Sequence, residues 1–127
     1  DPGKAVRDFT EAIRLDGSNA DAYYNRGVAY AHLQQPIMAV DDFTTTLEMN
    51  PEHIDAYNNR AAAYLDLNQL SHAIRDAEEA IRLNAQLPRA FLIRGAARAL
   101  LGHNELANED REKARSLGAN DITGIDL

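Results

Sequence analysis

Apolar side chains return along this chain at the three- and four-residue steps of a helix, and short polar breaks interrupt them at even intervals. Val6, Phe9 and Ile13 mark one stripe, Tyr23, Gly27 and Tyr30 the next, and Val40, Phe43 and Leu47 the one after. No alternating apolar–polar run of the strand type intervenes. The pattern predicts an opening helix over 4–16, then helices over 20–33, 36–49, 54–67, 70–83, 88–101 and 104–117. The breaks carry residues that stop and turn helices. Pro36 suits the first position of a helix, where its missing N–H is no loss, and Asn68 and Gly102 suit chain reversal. The chain is expected to be all-α.

Shifting the sequence by 34 residues stacks like on like. Tyr23, Tyr57 and Phe91 form one column and Gly27, Ala61 and Gly95 a second, while Ala5, Ala39, Ala73 and Ala107 form a third. Ala12, Thr46, Ala80 and Ala114 add a fourth. The small columns let the two helices of a unit approach, and the aromatic ones fill the space to the neighbouring unit. One hairpin of this kind cannot cover its own apolar faces, whereas stacked hairpins cover each other. The expected organisation is a single domain over 1–127. It comprises the second helix of a truncated unit over 4–16, units over 20–53, 54–87 and 88–121, and a tail over 122–127.

Tyr23-x-x-Arg26-Gly27-x-x-Tyr30, followed by Ala39-x-x-x-Phe43 and Pro51, resembles the tetratricopeptide repeat signature and its 34-residue period. The second unit agrees at Tyr57, Ala61, Tyr64 and Ala73 and departs at Ala77 and Ala85. The third agrees at Phe91, Gly95 and Ala107 and departs at Arg98, Arg111 and Ala119. The resemblance covers about residues 4–120. It implies a right-handed α-solenoid of antiparallel helix hairpins, about three and a half units long, that binds other proteins without catalysing a reaction.

Arg26, Arg60 and Arg94 depart from that pattern, because the family usually places leucine or a similar residue there. Asp8, Asp42, Asp76 and Asp110 recur at the same interval. A guanidinium left alone in a helix interface is costly, whereas one facing a carboxylate is tolerated. Each arginine can pair with the aspartate of its own unit or with that of the preceding one. The preceding unit is the expected partner, giving Arg26–Asp8, Arg60–Asp42 and Arg94–Asp76, with Asp110 left over. The plainer alternative is that the arginine stems run along the surface and their heads reach water.

Charge and composition narrow the functional classes. A formal net charge of −7 and an isoelectric point near 4.9 disfavour nucleic-acid binding, which needs a basic face, and give no support to docking on an anionic membrane. No apolar run is long enough to insert in a membrane. The absence of cysteine excludes disulfides and thiolate metal sites and says nothing about compartment, for which cytoplasmic is only a default. His32, His53, His72 and His103 fall at different positions of the unit and share no face, so no metal or cofactor is expected. Gly3 and Lys4 lack the glycine-rich loop of a phosphate binder. No nucleophile–base constellation recurs, and an enzyme is not expected.

The two ends differ. Where earlier second helices carry apolar residues, the last has Asn108, Arg111 and Arg115, as a terminal repeat requires. The opening helix keeps its apolar surface, so the chain reads as the C-terminal part of a longer array, with Ala5, Phe9 and Ala12 exposed and available for self-association. The tail, with Ile122, Ile125 and Leu127, is expected to be disordered rather than folded onto the third unit.

A curved stack receives its partner on the concave side, lined by the first helices. Projecting their exposed positions inward gives Asp21, Tyr24, Asn25, Val28 and His32 in the first unit. The second contributes Asp55, Asn58, Asn59, Ala62, Leu65 and Asp66, and the third Arg89, Leu92, Ile93, Ala96, Ala99 and Leu100. Asn25 and Asn59 sit one unit apart, and an amide offers donors and an acceptor to the backbone of an extended peptide. The expected partner is a protein or peptide; the alternative is a self-assembly element that stacks end to end. Tetratricopeptide domains of cochaperones hold a C-terminal carboxylate with a basic and amide clamp. Asn59 and Arg89 match two of its positions, while Tyr24, Val28 and Ile93 replace the Lys, Asn and Arg or Lys it requires. The groove reads instead as acidic and amide-rich early and apolar late.

Overall fold

The computed structural model describes residues 1–119; the tail positions Ile122, Ile125 and Leu127 lie outside the described residues. Among the described residues seven helices follow one another: α1 (Pro2–Leu15), α2 (Ala20–His32), α3 (Pro36–Met49), α4 (Ile54–Asp66), α5 (Leu70–Leu83), α6 (Pro88–Leu100) and α7 (Asn104–Ser116). There is no strand among the described residues. Local chemistry sets where they start. Asp1 accepts from the Gly3 and Lys4 N–H groups, Asn19 from those of Asp21 and Ala22, and the His53 ring from that of Ala56, while Pro36 and Pro88 open α3 and α6.

The hairpin turns repeat as faithfully as the helices. Gln34, Asn68 and Gly102 all take positive φ, at 57°, 58° and 84°. In each turn the next N–H closes back on a carbonyl in the last turn of the preceding helix: Gln35 on Tyr30, Gln69 on Tyr64 and His103 on Arg98. Asn68 and Gly102 were legible as reversing residues. Gln34 was not, because glutamine has no special tolerance for this conformation and is held there by the same closing bond.

Helices α2 and α3, α4 and α5, and α6 and α7 pack as hairpins, and α1–α2, α3–α4 and α5–α6 join successive units. The first helices also touch along the stack, α2 with α4 and α4 with α6, whereas α3, α5 and α7 do not touch one another. Helices on the inside of a bend are the ones that crowd, so this pattern puts the first helices on the inner side. The architecture is an all-α solenoid of about three and a half helix-hairpin units.

Alanine dominates the interior because the backbones run close. Ala39, Ala73 and Ala107 are fully buried, as are Ala80 and Ala114. In the first unit Phe43 is fully buried against Ala39 and Ala63. It presses so near Gly27 that a Cβ there would lie 2.7 Å from its ring. The second unit meets the same constraint differently: where Phe43 is replaced by Ala77, the glycine becomes Ala61, and both are fully buried.

The arginine column is resolved with a correction. Each arginine pairs with the aspartate of its own unit. Arg26 Nε and Nη2 donate to Asp42 at 2.8 Å each, Arg60 Nε and Nη2 to Asp76 at 2.7 and 2.8 Å, and Arg94 to Asp110 at 2.9 to 3.2 Å. Asp110, expected to be left over, takes a second arginine, Arg98, at 2.8 Å. Asp8 is exposed. The guanidinium does reach the preceding unit, but through residues 16 positions upstream: Thr10 for Arg26, Thr44 for Arg60 and Glu78 for Arg94. Aspartate sits on the hairpin side of the second helix, and the next unit meets the opposite side, where the threonines and Glu78 stand. Tyr23 and Tyr30 flank Arg26, and Tyr57 and Tyr64 flank Arg60, with ring centroids 5.7 to 5.8 Å from the guanidinium carbon. Each arginine thus ties three helices together.

Because the aspartates are almost wholly buried, removing one leaves a partly buried cation unpaired. Asp76→Ala is expected to cost about 3 kcal/mol in urea unfolding. In double-mutant cycles Arg60 should couple to Asp76 by at least about 1 kcal/mol and be additive with Asp42. Coupling to Asp42 instead would contradict the pairing.

Candidate functional site

The inner side is built from stripes on α2, α4 and α6, and one amide joins all three. Asn59 Nδ2 donates to Tyr24 Oη at 2.9 Å, and Asn59 Oδ1 accepts from Arg89 Nη1 at 2.5 Å. Tyr24 is itself fixed from behind, its ring 4.6 Å from that of His53, which caps α4, and 5.8 Å from that of Phe43. Burial pushes the Tyr24 phenol above its ordinary range, and the Asp55 carboxylate adds to the shift; the Asn59 bond and the Arg89 charge oppose it.

Beside this brace an open groove of about 780 Å³ runs between the first two units. Its walls are Val28, Ala31 and His32 of α2, Gln34 and Pro36 of the turn, Phe43 of α3, and Asn59, Ala62, Ala63 and Asp66 of α4, with Arg89 reaching in from α6. Of the positions projected from the sequence, Val28, His32, Asn59, Ala62, Asp66 and Arg89 meet here. Asp21 on α2 and Asp55 on α4 are exposed, and Leu92 on α6 is half-buried. Tyr24 supports Asn59 from the side.

Three placements correct the expectation of exposure. Ile93 is fully buried, packed with Ala61, Ala62 and Ala77, because α6 lies directly on the second hairpin. Ala62 is 6% exposed and meets the groove only at its edge. Asn58, at 5%, is enclosed because α4 is flanked by both α2 and α6, and its Oδ1 has no hydrogen-bond partner among the described residues. Asn25 parts company with Asn59. It is exposed and lines a separate hollow of about 340 Å³ between α1 and α2, with Pro2, Ala5 and Phe9. The two asparagines share a repeat position, but only Asn59 has both a Tyr24 before it and an Arg89 after it.

The sequence projection missed Ala31, Gln34, Pro36, Phe43 and Ala63. It followed the centre of each first helix, whereas the groove opens toward the turns, and Gln34 and Pro36 were the available signal. Among the described residues no group of three or more His, Cys, Asp or Glu side chains is placed to hold a metal ion, and no helix is long and apolar enough to cross a membrane.

A stack of helix hairpins with a groove along its inner side defines the class: a helical-repeat scaffold. Tetratricopeptide repeat models match residues 20–53 and 43–75, and a TPR repeat model matches residues 3–34. The chain belongs to the tetratricopeptide repeat family. Comparison with curated protein sequences gave no match. Among solved structures, the first TPR of Spaghetti (RPAP3) bound to the HSP90 peptide SRMEEVD is 30% identical, with 84% of each chain covered and a TM-score of 0.78. The Arabidopsis OM64 TPR domain is 28% identical, covering 80% of this chain and 84% of that one at a TM-score of 0.79. MamA 41-end from Desulfovibrio magneticus RS-1 is 26% identical, covering 92% of this chain and 66% of that one at a TM-score of 0.87. The chain thus spans about two thirds of that MamA chain. Family and fold together make the protein a protein-interaction scaffold, of a kind that is typically non-enzymatic.

Proposed function

We propose that this scaffold binds an extended peptide segment of a partner protein in the groove between α2 and α4, with Arg89 of α6 at its border. The observation that carries this reading is the groove itself. It is open, about 780 Å³ in volume, walled by small and apolar side chains, and edged by Asn59, His32, Asp66 and Arg89. That mixture suits a peptide, whose side chains need apolar floor space and whose backbone needs scattered donors and acceptors. The similar RPAP3 repeat in complex with a peptide supports the assignment by likeness. Ala31 offers a clean test, because it is exposed and lines the groove. Peptides selected from a randomised library on the wild-type protein should bind Ala31→Trp at least about tenfold more weakly, about 1.4 kcal/mol, with unchanged thermal unfolding. Undiminished binding would place the site elsewhere.

A second reading, self-association, draws on α1. This helix packs against α2 alone, has no buried residue, and leaves Ala5 and Phe9 half-buried beside the smaller hollow. On this reading, sedimentation equilibrium shows concentration-dependent dimers that Phe9→Glu abolishes. A monomer at high concentration removes it.

A further inference from the structure

Helix α1 repeats the second helices of the later units but leaves open what they bury. Ala39 and Phe43 are fully buried and Asp42 nearly so, whereas one period earlier Ala5 and Phe9 are half-buried and Asp8 is exposed. Among the described residues α1 packs against α2 alone. Asp42, Asp76 and Asp110 each hold an arginine from the first helix of their hairpin, and Asp8 holds none among the described residues.

The hollow between α1 and α2 carries the same imprint. Moved by 34 residues, Pro2, Phe9, Asn25, Val28, Ala29 and His32 of its walls become Pro36, Phe43, Asn59, Ala62, Ala63 and Asp66, all walls of the larger groove. The groove has one wall more, formed by Val28, Ala31 and His32 of α2, the first helix of the unit before. The hollow is therefore the same groove one unit earlier, open where such a first helix would stand. Asn59 donates to Tyr24 of that earlier helix, while the Asn25 side chain has no hydrogen bond among the described residues.

We propose that this open side docks a helix of a partner polypeptide carrying Tyr-x-Arg-Gly, with its arginine on Asp8, its glycine against Phe9 and its tyrosine on Asn25. Helix α2 shows how such a helix seats on a second helix that bears phenylalanine. Arg26 donates to Asp42 at 2.8 Å through both Nε and Nη2, and Gly27 passes where a Cβ would lie 2.7 Å from the Phe43 ring. Tyr24 Oη accepts from Asn59 of the next first helix at 2.9 Å. Phenylalanine at position 9 selects glycine over alanine in the partner, because the hairpin that has alanine after its arginine, Ala61, faces it with Ala77. A folded second copy has no such helix to spare. Its Arg26 and Gly27 are taken by Asp42 and Phe43, its α4 has Ala61 in place of glycine, and its α6 has Leu92 in place of the tyrosine. The docked helix is held by a charge-assisted fork and by close backbone approach, and it supplies the wall that the hollow lacks. This inference does not rest on the peptide reading of the groove, and it competes with self-association for the same face.

The test uses a capped peptide with the sequence of residues 18–34, SNADAYYNRGVAYAHLQ, titrated onto the intact isotope-labelled chain. Amide shifts at Asp8, Phe9 and Asn25 are expected to saturate at millimolar peptide or below. Gly27→Ala in the peptide should weaken binding at least about tenfold, and Phe9→Ala in the protein should abolish that difference. Arg26→Gln in the peptide should weaken binding several-fold to the wild-type chain and not at all to Asp8→Asn. Asp8 is exposed, so Asp8→Asn keeps its fold, and unchanged thermal unfolding checks this and Phe9→Ala. Equal binding of the glycine and alanine peptides, or equal loss from Arg26→Gln with and without Asp8, overturns the proposal. So do shifts confined to Ala31 and Ala62 of the groove, or to Asp42 and Phe43 through displacement of α2, and so does the absence of any shift at millimolar peptide. Dimers that form without peptide and vanish in Phe9→Glu give the face to a second copy and overturn it equally.

Discussion

A hairpin of two helices, each 13 or 14 residues long, has apolar surface on two sides and can cover only one of them by folding on itself. The structure follows from that shortage. Every hairpin lends its outer face to the next, so stability resides in interfaces between neighbours rather than in one central core. The burial pattern shows it: the fully enclosed side chains are mostly alanines at helix crossings, and Phe43 is the largest of the few bulky ones. Close approach of backbones takes the place of large side chains in a globular domain, and single methyl groups decide the fit. The exchange of Gly27 with Phe43 for Ala61 with Ala77 shows one interface solved by two different divisions of the same volume.

The arginines set how the hairpins are joined. A guanidinium has a fork of donors in fixed directions, and here the fork is shared between a buried aspartate across the hairpin and a hydroxyl or carboxylate on the unit before. Burying such a pair adds little net stability, because both partners lose water. Its effect is geometric: the pairing is satisfied in one relative placement of three helices. A placed stack gives the inner side a defined shape, and the Tyr24–Asn59–Arg89 brace crosses three successive units only because the units sit at fixed intervals.

Much of this was legible in the 34-residue period. Columns of alanine, glycine and tyrosine marked out the helices, the hairpins and the family, because small and aromatic residues at repeat spacing are what closely stacked helix pairs require. The recurrence of Arg60 and Asp76 announced a pairing, but a period alone does not say whether Arg60 takes Asp76 or Asp42; the side of the helix that faces the neighbour decides that. The inner surface was harder. Helical projection places Asn58 and Asn59 side by side, yet one is enclosed between neighbouring first helices and the other stands in the groove. Ile93, projected inward, is instead packed on the second hairpin. These are differences of a single helical step, and they depend on the tilt between units, which no pattern of residue types records.

If stability is passed between neighbours, it must be graded along the stack. Native-state hydrogen exchange followed amide by amide tests this most directly. Helices α4 and α5, supported on both sides, should exchange slowest, and α1 and α7, each packed against one neighbour, fastest. Uniform protection from α1 to α7, or greatest protection at either end, would contradict the account.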